Sequence, residues 1–263
     1  MPTFYENLGK ETNFERGKEA IKEYLKNTAE KIARDHEIPL DEECRIQPSK
    51  FEGVYSKTEI EADLNWVRQQ KEKENREKKE MGETLEAYAT ALFNKHFGKE
   101  LIIIRSSEYD DRARHVDNLI LDPETGTVVC AFDEISEMSG PAYEEKRQKV
   151  LQRNLGIEPK TGGAKIKYGV QIEQGKKAKL GPQKHLPIFY LALSKDVLKK
   201  AVAEFSPQTE SELERKILQY FLTSLESQSQ ALLLEEQRLS PQLEDRVVRF
   251  SQIIKALKEK ENF

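Results

Sequence analysis

Residues 116–135 read VDNLILDPETGTVVCAFDEI, two short apolar, β-branched segments separated by Pro-Glu-Thr-Gly. Segments of this length joined by a turn-forming tetrapeptide predict a β-hairpin with both arms in the protein interior. The hairpin carries its acids in an unusual place. Asp117 opens the first arm, and Asp133 and Glu134 close the second. All three therefore lie at the end far from the turn. Strand side chains alternate faces, so Asp133 goes with Ala131 and Val129, and Glu134 goes with Phe132 and Cys130. Only one of the adjacent acids shares a face with Asp117, and Asp133 is the expected one.

The flanking sequence supplies cover for such a hairpin. Leu85, Tyr88, Ala89, Leu92, Phe93 and Phe97 recur at helical spacing and stop at Gly98. ELIIIRS, just after it, reads as a further strand. Downstream, PAYEEKRQKVLQRNLG predicts a helix opened by Pro141 and closed by Gly156. AKIKYGVQIE and LPIFYLALS follow as two more strands. The expected class is α/β, with a core of helix, three strands, helix and two strands over residues 82–195.

Helical additions are expected on both sides. Residues 14–35 carry an amphipathic pattern ending near Pro39, and Ser56-Lys-Thr-Glu has the form of a capping box. RQQKEKENREKKE has no large apolar side chain and reads as an exposed helical stretch or linker, closing an extension over residues 1–81. Residues 196–263 read as a helical C-terminal extension. Its seam of Leu243, Val247, Phe250, Ile254 and Leu257 is suited to packing on the chain's own helices, with a helix-mediated protein partner or a homodimer as the alternative.

Composition narrows the classes of function. No apolar run is long enough to span a membrane and the N-terminus lacks a signal-peptide pattern, so no membrane partner and a cytoplasmic location are expected. Cys44 and Cys130 belong to no CxxC or Cys/His zinc pattern, and Cys130 within its apolar run is expected to be a buried thiol. No GxSxG elbow, P-loop or GxGxxG is present. The net charge is −4, yet residues 141–200 hold fourteen Lys/Arg against five Asp/Glu. That window is either a solvated surface or a phosphate-binding face.

Glu86 lies at the edge of the apolar stripe that ends at Phe97, so the helix can bring a third acid to the hairpin. Gathered carboxylates repel unless a cation or protons intervene, and oxygen-rich clusters suit Mg²⁺ or Mn²⁺. Asp110 and Asp111, beside Arg112 and Arg114, read as an exposed salt-bridged loop, though either could replace Asp117 as a metal acid. His115 reads as solvent-facing, and His96 as flanking a helix end.

GETLE at 82–86, VDNLIL with Asp117 and VVCAFDEI with Asp133, followed by a helix and a strand, together resemble the PD-(D/E)xK nuclease superfamily, a restriction-endonuclease-like core. The resemblance covers about residues 82–193. It implies a metal held by Glu86, Asp117 and Asp133, with Glu134 the alternative third-strand acid, and metal-dependent hydrolysis of phosphodiester bonds, above all in DNA. The family lysine is expected two positions after the third-strand acid, where this chain has Ile135, or Ser136 if Glu134 is the acid. Some members supply it from the next helix, which here means Lys146 or Lys149. Lys165, Lys167, Lys176, Lys177 and Lys179 would then contact phosphates, the last three from a turn. The competing expectation is a catalytically inactive protein of this fold, serving as a nucleic-acid-binding or protein-interaction scaffold.

Overall fold

The computed structural model describes residues 4–73, 76–173 and 177–262. Helix α1 (Phe4–His36) leads through a loop to α2 (Lys57–Lys73), where Ser56 Oγ accepts the Glu59 N–H at 3.2 Å as the capping box requires. Helix α3 (Arg76–Phe97) buries Leu85, Tyr88, Ala89, Leu92, Phe93 and Phe97, the whole expected stripe. It starts six residues before Gly82, inside the charged stretch.

The sheet that α3 covers is built from β1 (Ile102–Arg105), β2 (Asn118–Asp122), β3 (Thr127–Ile135) and β6 (Ile188–Ala192), in the order β1-β2-β3-β6. The first three pair antiparallel, while β6 pairs parallel to β3 after a crossover that includes α5 (Pro141–Leu155). A register shift between Ile120 and Leu121 marks a bulge in β2. At the hairpin tip Gly126 has φ +70°, and a Cβ there would lie 1.9 Å from the Ile172 carbonyl oxygen, so the turn admits only glycine.

Two elements differ from expectation. AKLGPQKHL forms strand β5 (Ala178–Leu186), antiparallel to β4 (Ala164–Ile172) in a separate two-stranded sheet, so Lys179 sits on a strand and not in a turn. Gly181, Pro182 and four polar residues give this segment no strand pattern of its own, and pairing with β4 supplies it. Between β1 and β2 the charged segment is a helix, α4 (Glu108–Arg114), capped by Ser107, whose Oγ accepts the Asp110 N–H at 3.0 Å.

The chain ends in α6 (Lys195–Glu204), α7 (Glu212–Leu233) and α8 (Pro241–Lys260). The α8 seam is buried, packing on α7 and on the sheet, where Phe250 stacks on Phe189 at 4.8 Å and meets Phe132 edge-on at 6.4 Å. Phe93 from α3 reaches Phe132 at 5.5 Å, so helices α3 and α8 share one aromatic core on the β3 surface. Each such ring contributes about 1.5–3 kcal/mol by burial. Helix α1 packs on α3 and α6, with Gly17 against the Val202 carbonyl oxygen at a distance no side chain could share. Among the described residues no helix is long and apolar enough to cross a membrane. Cys44 and Cys130 are free, buried thiols.

Candidate metal centre

The open end of the β2–β3 hairpin gathers the acids. Asp117 stands one residue before β2, its N–H donating to the Phe132 carbonyl at 2.9 Å, and its Oδ2 accepts the Glu134 N–H at 2.7 Å. Glu134 Oε1 accepts from Asn118 Nδ2 at 2.6 Å, and Asn118 is in turn held by Thr90 of α3. Glu86, four residues before Thr90 on the same helix, is thereby brought to the strand ends. Its Oε2 accepts from Arg105 at 2.7 Å and from Arg45 at 3.1 Å.

Glu86, Asp111 and Asp117 each offer an oxygen, and the three oxygens lie within 4.8 Å of one another. This group of three acids, Glu86 and Asp117 buried and Asp111 half-buried, can hold a metal ion. Asp111 corrects the expectation of an exposed loop: α4 turns it inward, where Arg45 meets it at 3.1 Å. Its neighbour Asp110 is fully buried, accepting from Lys167 N at 2.6 Å, Tyr168 N at 2.9 Å and Ser107 Oγ at 2.7 Å. Asp133 stands beside this trio as a fourth acid. Its Oδ1 takes an ion pair from Lys146 Nζ, which also donates to the Glu134 carbonyl at 3.1 Å.

The charges are strongly perturbed. Burial, then the charges of Asp133, Glu86, Glu134 and Asp111, hold the Asp117 carboxyl well above its ordinary range. Burial raises Glu134 to about 7, with Glu86 adding to the effect against its hydrogen bonds with Asp117 and Asn118. Burial and the Glu86 charge raise Asp111 to about 6. Glu86 goes the other way: burial opposes its ionisation, but Arg105 and Arg45 outweigh it and lower the carboxyl. Lys146 loses solvation by burial, yet Asp133 and Asp117 keep it firmly protonated.

The donors fit a hard divalent cation. They are all carboxylates, they repel one another, and among the described residues Glu134 Oε2 is buried without a hydrogen-bond partner. Arg45 and Arg105 were not foreseen because they come from a loop and a strand with no motif around them. Their only sequence signal is a charged residue at the boundary of an apolar run, CRI and IIIR.

Beside the trio, Asp133 and Lys146 line a cleft of about 640 Å³ together with His115, Lys149, Gln152, Arg153, Gly156 and Ile157. Of the two candidate lysines, Lys146 touches Asp133, whereas Lys149 is exposed on the cleft rim and pairs with Glu145 at 2.6 Å. His115 is exposed, as expected, and lines the cleft. Arg153 donates to the His115 and Arg114 carbonyls. The other basic candidates lie elsewhere. Lys167 is held by Glu59 at 2.8 Å and Asp63 at 2.6 Å, with the rings of Tyr55, Tyr109 and Tyr168 around its ammonium, so it serves structure. Lys165 is exposed, while Lys177 pairs with Glu37 and Lys179 with Glu173. Lys176 lies outside the described residues. His96 at the end of α3 bonds Glu214 at 2.7 Å.

No protein-family model, curated protein or solved structure matches the chain.

Proposed function

We propose that the chain is a metal-dependent nuclease, hydrolysing phosphodiester bonds in DNA on a PD-(D/E)xK-like core. One observation carries the reading. A helix glutamate and the acid before the second strand converge with Asp111 of α4, and beside them Lys146 of the following helix touches Asp133, the acid of the third strand. Lys146 thereby takes the part that Ile135 vacates. The sequence of α3, β1, β2, β3, α5 and a final strand beside β3 is consistent with that core.

Glu86, Asp111 and Asp117 would hold Mg²⁺ or Mn²⁺, with Asp133 and Glu134 at its margin. Such an ion neutralises charge on the phosphate and lowers the pKa of a water. The chain's own groups do the rest. Lys146 offers a fixed ammonium beside Asp133 for a phosphate oxygen, and the cationic rim of Lys149 and Arg153 draws a polyanion into the cleft.

A second reading has its own observation. Two arginines already neutralise Glu86, which is how a scaffold that had lost its metal would keep a buried acid charged. Cleavage of labelled single- and double-stranded DNA with Mn²⁺ or Mg²⁺ separates the two, comparing the wild type with Asp117→Asn, Asp133→Asn and Lys146→Ala. Metal-dependent cutting lost in the aspartate variants supports the nuclease. No cutting, with no metal-induced rise in melting temperature, supports the scaffold.

A further inference from the structure

Asp133 and Tyr190 are register partners across the parallel β3–β6 pair, so their side chains leave the sheet on the same side. Asp133 meets Lys146 of α5 on that side, and Tyr190 meets Tyr143 of the same helix, with ring centroids 5.9 Å apart at 85°. Arg147, the next residue after Lys146, sets its guanidinium 5.5 Å from the Tyr143 ring and 6.0 Å from the Tyr190 ring. Tyr143, Tyr190 and Tyr220 are half-buried and Arg147 is exposed, so this aromatic and guanidinium surface is open to solvent. It is also rigid. Gln228 of α7 accepts the Tyr190 N–H at 3.0 Å and donates to its carbonyl at 2.9 Å, closing the outer edge of β6.

Helix α5 therefore presents two tracks. Lys146, Lys149 and Arg153 recur at spacings of three and four and face the cleft, while Tyr143 and Arg147 are four apart on an adjacent face. The cationic track runs for about 10 Å along the helix and the aromatic one for about 6 Å. Cations that follow a backbone, beside rings on which bases stack, are the requirement for holding an unpaired strand. A base inside a duplex has no free face to offer a tyrosine or an arginine.

We infer that Tyr143, Arg147 and Tyr190 form a stacking platform for an unpaired base next to the phosphate at the acids, making single-stranded nucleic acid the substrate class; this rests on the proposed nuclease reading. The platform adds binding and positioning and takes no part in the hydrolysis.

The test is fluorescence anisotropy in EDTA with labelled oligothymidylate, oligouridylate and a hairpin duplex. The wild type and the Tyr143→Leu and Tyr143→Phe variants are compared at matched melting temperature. The expected result is tighter binding of one or both single strands than of duplex, weakened about tenfold by Tyr143→Leu, retained by Tyr143→Phe and unchanged for duplex. Equal or tighter binding of duplex, or a Tyr143→Leu variant with undiminished single-strand affinity, overturns the inference. Cleavage of the same oligonucleotides with Mn²⁺ keeps the two readings apart. Absent cleavage with an intact platform effect removes the nuclease, and cleavage without a platform effect removes the platform.

Discussion

The β2–β3 hairpin carries buried aspartates at both ends, and the two ends behave differently. At the turn, Asp122 is 3% exposed and fully engaged: Arg249 meets it at 2.8 Å, and it accepts from the Glu124 N–H at 2.9 Å and the Thr125 hydroxyl at 3.1 Å. At the open end, Asp117 is 6% exposed, and the charges that act on it most strongly are those of four other carboxylates. Equal burial thus coexists with opposite electrostatics. The turn end spends its carboxylate on holding α8 to the hairpin. The open end sets buried carboxylates against one another, which costs stability.

The largest expected effect is on cleavage. Asp117→Asn lowers metal-dependent cutting by at least about a hundredfold, whereas Asp122→Asn leaves the rate per folded molecule unchanged; initial rates on a labelled strand measure both. Equal losses at the two ends would break the comparison.

Next comes the response to metal. Mn²⁺ at a hundred times its dissociation constant stabilises the wild type by about 2.7 kcal/mol, read as a rise in melting temperature. Asp122→Asn keeps that rise and Asp117→Asn loses it.

In the metal-free protein the order reverses. Asp122→Ala costs about 1–2 kcal/mol, because it strips a charged acceptor from the turn and from the partly exposed Arg249. Asp117→Asn raises stability at neutral pH by removing a carboxyl whose ionisation burial and the neighbouring acids oppose. Urea denaturation of the two variants gives the comparison directly.

The smallest effect is the pH dependence. Folding raises the pKa of Asp117, Glu134 and Asp111, so the folded chain holds their protons more tightly than the unfolded chain does. Their contribution is therefore fully present only below the unfolded-chain values of 3.8 for aspartate and 4.5 for glutamate, and is lost as pH rises through about 6 for Asp111 and about 7 for Glu134. A metal competes with those protons, so its stabilisation grows over the same window. Melting curves at three pH values, with and without Mn²⁺, should diverge as pH rises. Parallel curves would mean that the cluster does not take the ion.

The parts of this arrangement differ in how far they can be read from sequence. β2, β3 and the stripe of α3 were legible because their periodicity and their burial are the same fact. Strand β5 was not, since Gly181, Pro182 and Lys184 carry no strand signal and the β4 backbone imposes the conformation. Helix α4 was hidden by its charges, which normally mark exposed surface, although Asp110 and Asp111 point inward. Asp117, Asp133 and Lys146 could be found because short spacings along strands and a helix bring them together. Arg45 lies 41 residues from Glu86, and no local pattern encodes that meeting.

Asp110 has a consequence for motion. Its two oxygens take the Lys167 and Tyr168 N–H groups, so a side chain stands in for the strand that would otherwise pair with this stretch of β4. The exchange of those two amides with deuterated solvent is therefore governed by α4 and not by any neighbouring strand. Because Asp111 shares that short helix, slow exchange at Lys167 and Tyr168 reports, from the far side of α4, how firmly one of the clustered carboxylates is held.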